Sequence, residues 1–154
     1  MSEHASSGAL GASLLEAASQ TFESLGYFFV EPLDPASAGP LLGARTAAID
    51  FTGPNRGTLL VSVTDDVLGP LAANMLGRDD PPDEALQLDA LGEVANVICG
   101  SVLPALGGAR AVFSLAAPRV TPAGAPAADP IHPPAAQVSL DIEGGRADVV
   151  WYVG

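Results

Sequence analysis

The chain has 154 residues, 48% of them hydrophobic, and eighteen acidic residues against six basic ones give it a formal net charge of −12. This length suits one domain with a core of its own. The acidic balance argues against nucleic acid or an anionic membrane surface as a partner, because both need clustered Lys and Arg.

Two helices and a hairpin are predicted in the first half of the chain. We expect a disordered lead at 1–8, a helix at 9–25, a short strand at 27–30, a loop at 31–43, hairpin strands at 44–51 and 57–64, and a helix at 65–76. The hairpin follows from β-patterned apolar runs on either side of a Gly- and Pro-containing turn. Asp65 and Asp66 are the candidate N-caps of the second helix, and Gly77 is its candidate stop.

A long helix and a second hairpin are predicted in the other half. We expect a linker at 78–83, the helix from residue 84, a strand at 111–115, a loop at 118–136 and hairpin strands at 137–142 and 147–153. Pro104 should kink or end the helix, because proline removes a backbone hydrogen bond, and Gly107 and Gly108 should finish it. This order of elements predicts one α+β domain over 1–154, with a mainly antiparallel sheet and long helices packed on one face.

The long helix divides into two faces at about 100° per residue. Its apolar face holds Leu91, Val94, Ala95, Ile98 and Val102, and its opposite face holds a stripe of Asp89, Glu93, Asn96 and Gly100. Asn and Gly are poor helix formers, which suggests that the stripe serves something other than helix stability. On periodicity alone, however, the ordinary interpretation is a solvated surface.

Other catalytic sites find little support in the sequence. Cys99 is the only cysteine, which excludes an internal disulfide, and its apolar setting predicts a small buried side chain. Neither His4 nor His132 has the spacing of a metal ligand, and Ser101 shows no signal of a catalytic triad. No secretory signal is recognisable, so we expect a cytoplasmic protein.

The stripe carries a family resemblance. Asp89, Glu93 and Asn96, in the setting LGEVANVICG, match the pattern Asp/Ser-x-x-x-Glu-x-x-Asn and resemble the signature helix of the CheC/CheX/FliY phosphatases of bacterial chemotaxis, above all a CheX-like domain. The resemblance implies the same α+β fold, a phosphorylated CheY-like response regulator as the partner, and a homodimer that pairs through a sheet edge.

Two further stretches bear on this resemblance. After the helix, Pro118, Val120 and Gly124 resemble a stretch that is common in the family, with Gly124 one place late. Some members carry a second active stripe on the first helix, where this chain has Ser19, Glu23 and Gly26. Glycine occupies the position of the asparagine, so we expect one working site per chain. Alternatively, the match of Ser19 and Glu23 is a coincidence, and the expectation is the same.

The resemblance implies a role for each residue of the stripe. Asn96 would orient the water that attacks the aspartyl phosphate, since an amide both donates and accepts hydrogen bonds and carries no charge. Glu93 would pair with a lysine of the regulator, Asp89 would be a docking contact, and Gly100 would permit close approach. No metal or cofactor is expected on this chain, because the regulator would supply Mg²⁺.

Two other functions are compatible with the same sequence. The same stripe suits a non-catalytic adaptor that docks a response regulator or another signalling protein, since Glu and Asn serve docking as well as catalysis. A structural part of a flagellar switch is a third possibility, which the short length of the chain disfavours.

Overall fold

The computed structural model of the chain describes residues 2–39, 41, 44–108, 110–121 and 133–154. The elements in these residues are α1 (Ser2–Gly26), β1 (Val30–Leu33), α2 (Pro35–Ala38), β2 (Ala44–Thr52), β3 (Gly57–Thr64), α3 (Asp65–Leu76), α4 (Glu84–Gly107), β4 (Ser114–Leu115), β5 (Arg119–Thr121), β6 (Ala136–Ile142) and β7 (Gly145–Val153).

All the described strands belong to one antiparallel sheet. Its order is β1-β6-β7-β3-β2, and the short strands β4 and β5 both pair with β2. The long helices α1 and α4 pack against each other and, together with α3, against the sheet. The α+β class expected from the order of elements is therefore confirmed.

The core lies between the helices and one face of the sheet. Alternate residues of the central strands point into it, as the period of two in a strand requires. The fully buried strand residues include Ala47, Ile49, Leu59, Val61, Val63, Leu140, Ala147, Val149 and Trp151. From α4 the core receives Leu91, Val94, Ala95 and Ile98, all without exposed surface. Burying one such Leu, Val or Ile contributes about 1.5–3 kcal/mol, so α4 is held firmly by its apolar face.

The first helix is longer than predicted. It begins at Ser2 and ends at Gly26, so residues 2–8 of the expected disordered lead 1–8 are helical. Apolar periodicity indicates only the part of a helix that packs on a core, so it does not show where the exposed start of a helix lies. Residues 2–8 contain no proline, and the helix can therefore extend through them.

The first strand comes later than predicted, at Val30–Leu33 instead of 27–30. Tyr27 adopts a left-handed conformation with φ of 57°, and its N–H donates to the Glu23 carbonyl oxygen at 3.1 Å. That conformation ends α1 and turns the chain. After its first residue, Val30, the strand therefore lies within the predicted loop 31–43, together with the short helix α2.

The short elements after α4 also differ from the prediction, because they depend on pairing with distant strands. The predicted strand 111–115 is reduced to the two residues of β4. The predicted loop 118–136 opens with β5 and closes with the first residue of β6, and its residues 122–132 lie outside the described part of the chain. The N-cap of α3 is Thr64, so Asp65 and Asp66 are not caps but the first two helix residues, where acidic side chains favour the helix dipole.

The remaining helix ends match their expected positions, and the last turn is two residues shorter than the four expected at 143–146. Gly77 ends α3 in the left-handed conformation, and α4 continues past Pro104 to Gly107. The last hairpin turns through Glu143 and Gly144, whose φ angles of 52° and 93° are those of a two-residue turn that matches the twist of the strands.

Candidate functional site

The start of α4 is fixed by three polar contacts. The Asp83 side chain accepts a hydrogen bond from the Leu86 N–H at 3.0 Å and so caps the helix. The Gln87 side chain donates to the Pro82 carbonyl oxygen at 2.8 Å. Arg45 of β2 bonds Glu84 at 2.7 Å, which ties the first turn of the helix to the sheet. These contacts and the buried face determine which side of α4 is turned to solvent.

The side turned to solvent is the predicted stripe. Asp89, Glu93, Asn96 and Gly100 are all exposed. At 1.5 Å per residue, Glu93 lies about 6 Å along the helix axis from Asp89, and Asn96 lies about 4.5 Å further on. The expected separation of α4 into a buried apolar face and an exposed polar stripe is confirmed.

The polar side chains of the stripe are not engaged within the domain. Among the described residues, Asp89, Glu93 and Asn96 have no hydrogen-bond or ion-pair partner. Ser101, on the same helix, behaves differently, since its hydroxyl donates to the Val97 carbonyl oxygen at 2.8 Å. Two carboxylates and one amide are therefore available to a molecule that approaches α4 from solvent.

One flank of the stripe is formed by the segment between β4 and β5. A Cβ atom added at Gly92 would lie 3.1 Å from Cγ and 3.4 Å from Cβ of Pro118. Gly92 follows Asp89 by three residues and precedes Asn96 by four, so it adjoins both on the helix surface. The close approach of the proline depends on the missing side chain at residue 92, a role that sequence analysis did not assign. A glycine inside a well-formed helix was the available signal.

The residue after this proline is anchored on the sheet. The Arg119 guanidinium donates to the carboxylate of Asp50 on β2, which also accepts a hydrogen bond from the Thr58 hydroxyl at 2.7 Å. The bond from Arg119 lowers the pKa of Asp50; burial raises it, and the Thr58 bond and the charge of Arg119 lower it further. β5 additionally pairs with residues 46–48 of β2, so the position of Pro118 follows that of the sheet.

The similar pattern on α1, Ser19, Glu23 and Gly26, has glycine at its third position, and packing explains why asparagine does not fit there. Glu23 is exposed and Ser19 is half-buried, but Gly26 is buried. A Cβ atom at Gly26 would lie 2.6 Å from the Phe28 ring and 3.1 Å from Leu71. An asparagine cannot replace Gly26 while Phe28 keeps this position. The expectation of one working site per chain thus has a packing basis, and activity at α4 stays a prediction.

Cys99 and the metal-ligating residue types are further candidate groups in the described residues. Cys99 is fully buried as predicted, and burial raises the pKa of its thiol to about 12, so it is not a nucleophile at neutral pH. No group of three or more His, Cys, Asp or Glu side chains is placed to hold a metal ion in this part of the chain. The predictions on Gly124 and His132 fall outside the described residues.

One described helix has the length and composition of a membrane span, but it is also part of the core. Of the helices described, α4 is long and apolar enough by composition to cross a membrane, with a mean hydropathy of 1.4. Half of that apolar window is buried inside the domain, which is the usual situation of a core helix.

Comparison with known protein families identifies this domain. Residues 45–129 match the family model described as "Chemotaxis phosphatase CheX". The chain belongs to the CheX family. The matched segment contains the whole α4 stripe together with Gly92 and Pro118, and the resemblance to the CheC/CheX/FliY phosphatases is confirmed. No curated protein matches the chain.

Solved structures show the same CheX fold. A CheX protein from Desulfovibrio desulfuricans superposes with a TM-score of 0.75 at 20% identity, covering 94% of this chain and 99% of that one. FliY from Thermotoga maritima gives 0.61 at 15% identity, covering 93% and 86%. CheX in a CheX–CheY–BeF3–Mg²⁺ complex from Borrelia burgdorferi gives 0.68 at 14% identity, covering 92% and 96%.

Proposed function

We propose that this CheX-family domain dephosphorylates a CheY-type response regulator and that the α4 stripe is its active surface. The observation that carries the proposal is the state of Asp89, Glu93 and Asn96. They are exposed and unpaired within the described residues, and they lie inside the segment that matches the family. The Borrelia CheX that shares this fold forms a complex with CheY, which supports a regulator of that type as the partner.

The reaction needs little chemistry from this chain. Water attacks the phosphorus of the aspartyl phosphate, the bond from phosphorus to the carboxylate oxygen breaks, and inorganic phosphate and a free aspartate result. Catalysis then consists of holding the water in line with the leaving carboxylate. The amide of Asn96 suits that task, because it both donates and accepts hydrogen bonds and does not repel the phosphoryl group.

The neighbouring residues of the stripe serve docking. Glu93, one turn before Asn96, pairs with a lysine in the active site of the regulator and so fixes the distance between the two proteins. Asp89 makes an outer contact. Gly100 has no atom within 4 Å of its Cβ position and is exposed, so the partner backbone meets no obstacle there. The regulator contributes the phosphoryl group and the Mg²⁺ ion.

The assembly and location of the domain belong to the same proposal. The sheet ends in β1 on one side and in β4 and β5 on the other. Sheet edges pair readily with further strands unless they are protected, and a symmetric homodimer is the commonest outcome of such pairing. We therefore extend the proposal to a cytoplasmic homodimer, in keeping with a partner that is a soluble response regulator.

Phosphate release tests this function directly. A panel of CheY-type regulators is phosphorylated with a small acyl phosphate in Mg²⁺, freed of excess donor, and followed with and without the purified domain. The proposal expects one regulator at least to lose phosphate several times faster with the domain than alone. If regulators bind the domain but none loses phosphate faster, the domain is an adaptor and not a phosphatase. If none binds and none loses phosphate faster, the proposal is refuted altogether.

A further inference from the structure

Asn96 has an unusual position among its helical neighbours. The residues four places before and four places after it, which adjoin it on the helix surface, are Gly92 and Gly100. Neither carries a side chain that could restrict Asn96, and Asn96 has no hydrogen-bond partner among the described residues. An asparagine that orients water must nevertheless be held within a fraction of an ångström.

The two glycines differ in what lies over them. Gly100 is exposed, and nothing is within 4 Å of its Cβ position. Gly92 is buried, and Pro118 lies 3.1 Å from its Cβ position. Because side chains of a helix lean toward its N-terminus, the Asn96 side chain leans toward the turn that holds Gly92 and not toward Gly100.

We infer that Pro118 is a positioning residue for Asn96, and that Gly92 is glycine so that the proline ring can fill this flank of α4. The inference rests on the proposed phosphatase function. The ring of proline has little freedom of its own. It is also tied to the sheet, since the next residue, Arg119, bonds Asp50 and begins β5. The wall beside Asn96 therefore stays in place while the opposite side, over Gly100, remains open to the partner.

The presence of glycine at residue 92 agrees with this role. Glycine inside a helix costs about 0.5–1 kcal/mol relative to alanine, so alanine would stabilise an unobstructed site. At residue 92 a methyl group would instead push Pro118 outward by a few tenths of an ångström. Alanine should therefore displace the wall and with it the preferred rotamer of Asn96.

The chain offers a matched control for this substitution. Gly69 of α3 is also a buried helical glycine beside a proline, but its Cβ position lies at an ordinary 3.4 Å from Cβ of Pro81. Neither residue belongs to the stripe. Gly69→Ala adds the same methyl group without the crowding by a facing proline and away from Asn96. Because Pro70 follows Gly69 inside α3, the added Cβ lowers the stability of the variant, so its activity is compared where it is fully folded.

The test compares Gly92→Ala, Pro118→Ala, the double variant and Gly69→Ala with the unaltered domain, on a regulator that the domain dephosphorylates. We expect kcat to fall roughly 10-fold or more in each of the variants at Gly92 and Pro118, as for a small misplacement of a catalytic group, with KM within about twofold. The double variant should be no worse than Pro118→Ala alone, because removing the ring also removes the crowding. Gly69→Ala should keep the kcat of the unaltered domain at a temperature at which both are fully folded, whatever its loss of stability.

A second readout does not depend on phosphatase activity. The χ1 angle of Asn96, obtained by NMR from three-bond couplings to its Cγ, should report one rotamer in the unaltered domain and averaging in Pro118→Ala. If Asn96 is already averaged in the unaltered domain, or if Gly92→Ala retains full kcat, Pro118 does not position it. If no regulator is dephosphorylated by the unaltered domain, the proposed function fails, and the χ1 measurement still decides the inference.

Discussion

Glu93 and Asn96 lie three residues apart on the exposed side of α4, yet neither side chain bonds the other or any described group of the domain. Neighbours at this spacing on a helix are close enough to act on the same molecule. A carboxylate and an amide differ in what they can do there, because only the carboxylate carries a negative charge that pairs with a lysine. Their substitutions should therefore affect binding and turnover in different ways.

Replacing Asn96 with alanine should remove catalysis and spare binding. If the amide orients the attacking water, its contribution is made in the transition state, and losing one such positioned group costs about 100-fold or more in rate. The half-life of the phosphorylated regulator and the affinity for it should both be measured. Ser101→Ala, an exposed change on the same helix outside the stripe, is the control. Full activity in Asn96→Ala would refute the mechanism even within the correct family.

Replacing Glu93 with alanine should weaken binding and turnover together. The charge pair with a regulator lysine would form on docking and persist through the reaction, so its loss appears in affinity as well as in rate. Added salt should reproduce part of this loss in the unaltered domain and have less effect on Glu93→Ala, since screening acts on the pair that the variant lacks. An affinity that is independent of both salt and Glu93 would exclude the charge pair.

Replacing Asp89 with alanine should have the mildest effect of the three. Asp89 is exposed and one turn further from the proposed reaction centre than Glu93, and an exposed charge pair is typically worth about 0–1 kcal/mol. Titration of the regulator against Asp89→Ala should give an affinity within about fivefold of the original. A loss as large as that of Glu93→Ala would move the centre of the interface toward the start of α4.

The ion pair of Asp50 and Arg119 should contribute stability that depends on pH. Arg119 holds the pKa of Asp50 below its ordinary value of 3.8, so the unfolded chain binds a proton there more readily than the folded one. The contribution is therefore present above pH 3.8 and is lost as the pH falls through the lowered pKa. The two side chains are 43% and 57% exposed, which limits the effect to about 0–1 kcal/mol. Urea unfolding of Asp50→Asn should show a deficit at pH 6 that diminishes as the pH falls below 3.8.

The homodimer is tested by the mass of the domain in solution. Light scattering at micromolar concentration should give twice the 15.4 kDa of one chain, since an unprotected sheet edge favours pairing with a second copy. Dilution should then shift the mass toward that of the monomer. A mass of one chain at every concentration would leave the phosphatase proposal intact and remove the dimer from it.

Local sequence patterns determined the two long hairpins, most of the long helices and the face of the candidate site. The helical period of α4 separates its core side from its polar stripe without reference to the rest of the chain, because both faces belong to one rigid helix. In the same way, alternating residues and turn-forming residues between them defined the two long hairpins, β2–β3 and β6–β7. Such features depend only on residues close together in the sequence.

Only the tertiary structure decided the contacts between distant segments. The strands β4 and β5 are too short to have a periodic pattern, and they exist because β2 offers them backbone partners. The approach of Pro118 to Gly92 and the obstruction of Gly26 by Phe28 are likewise results of packing. A single sequence states which residues are apolar or lack a side chain, but it does not state which distant atoms meet. The contact that flanks the α4 stripe therefore results from the sheet, which places β5 beside the helix, and not from a pattern in either segment.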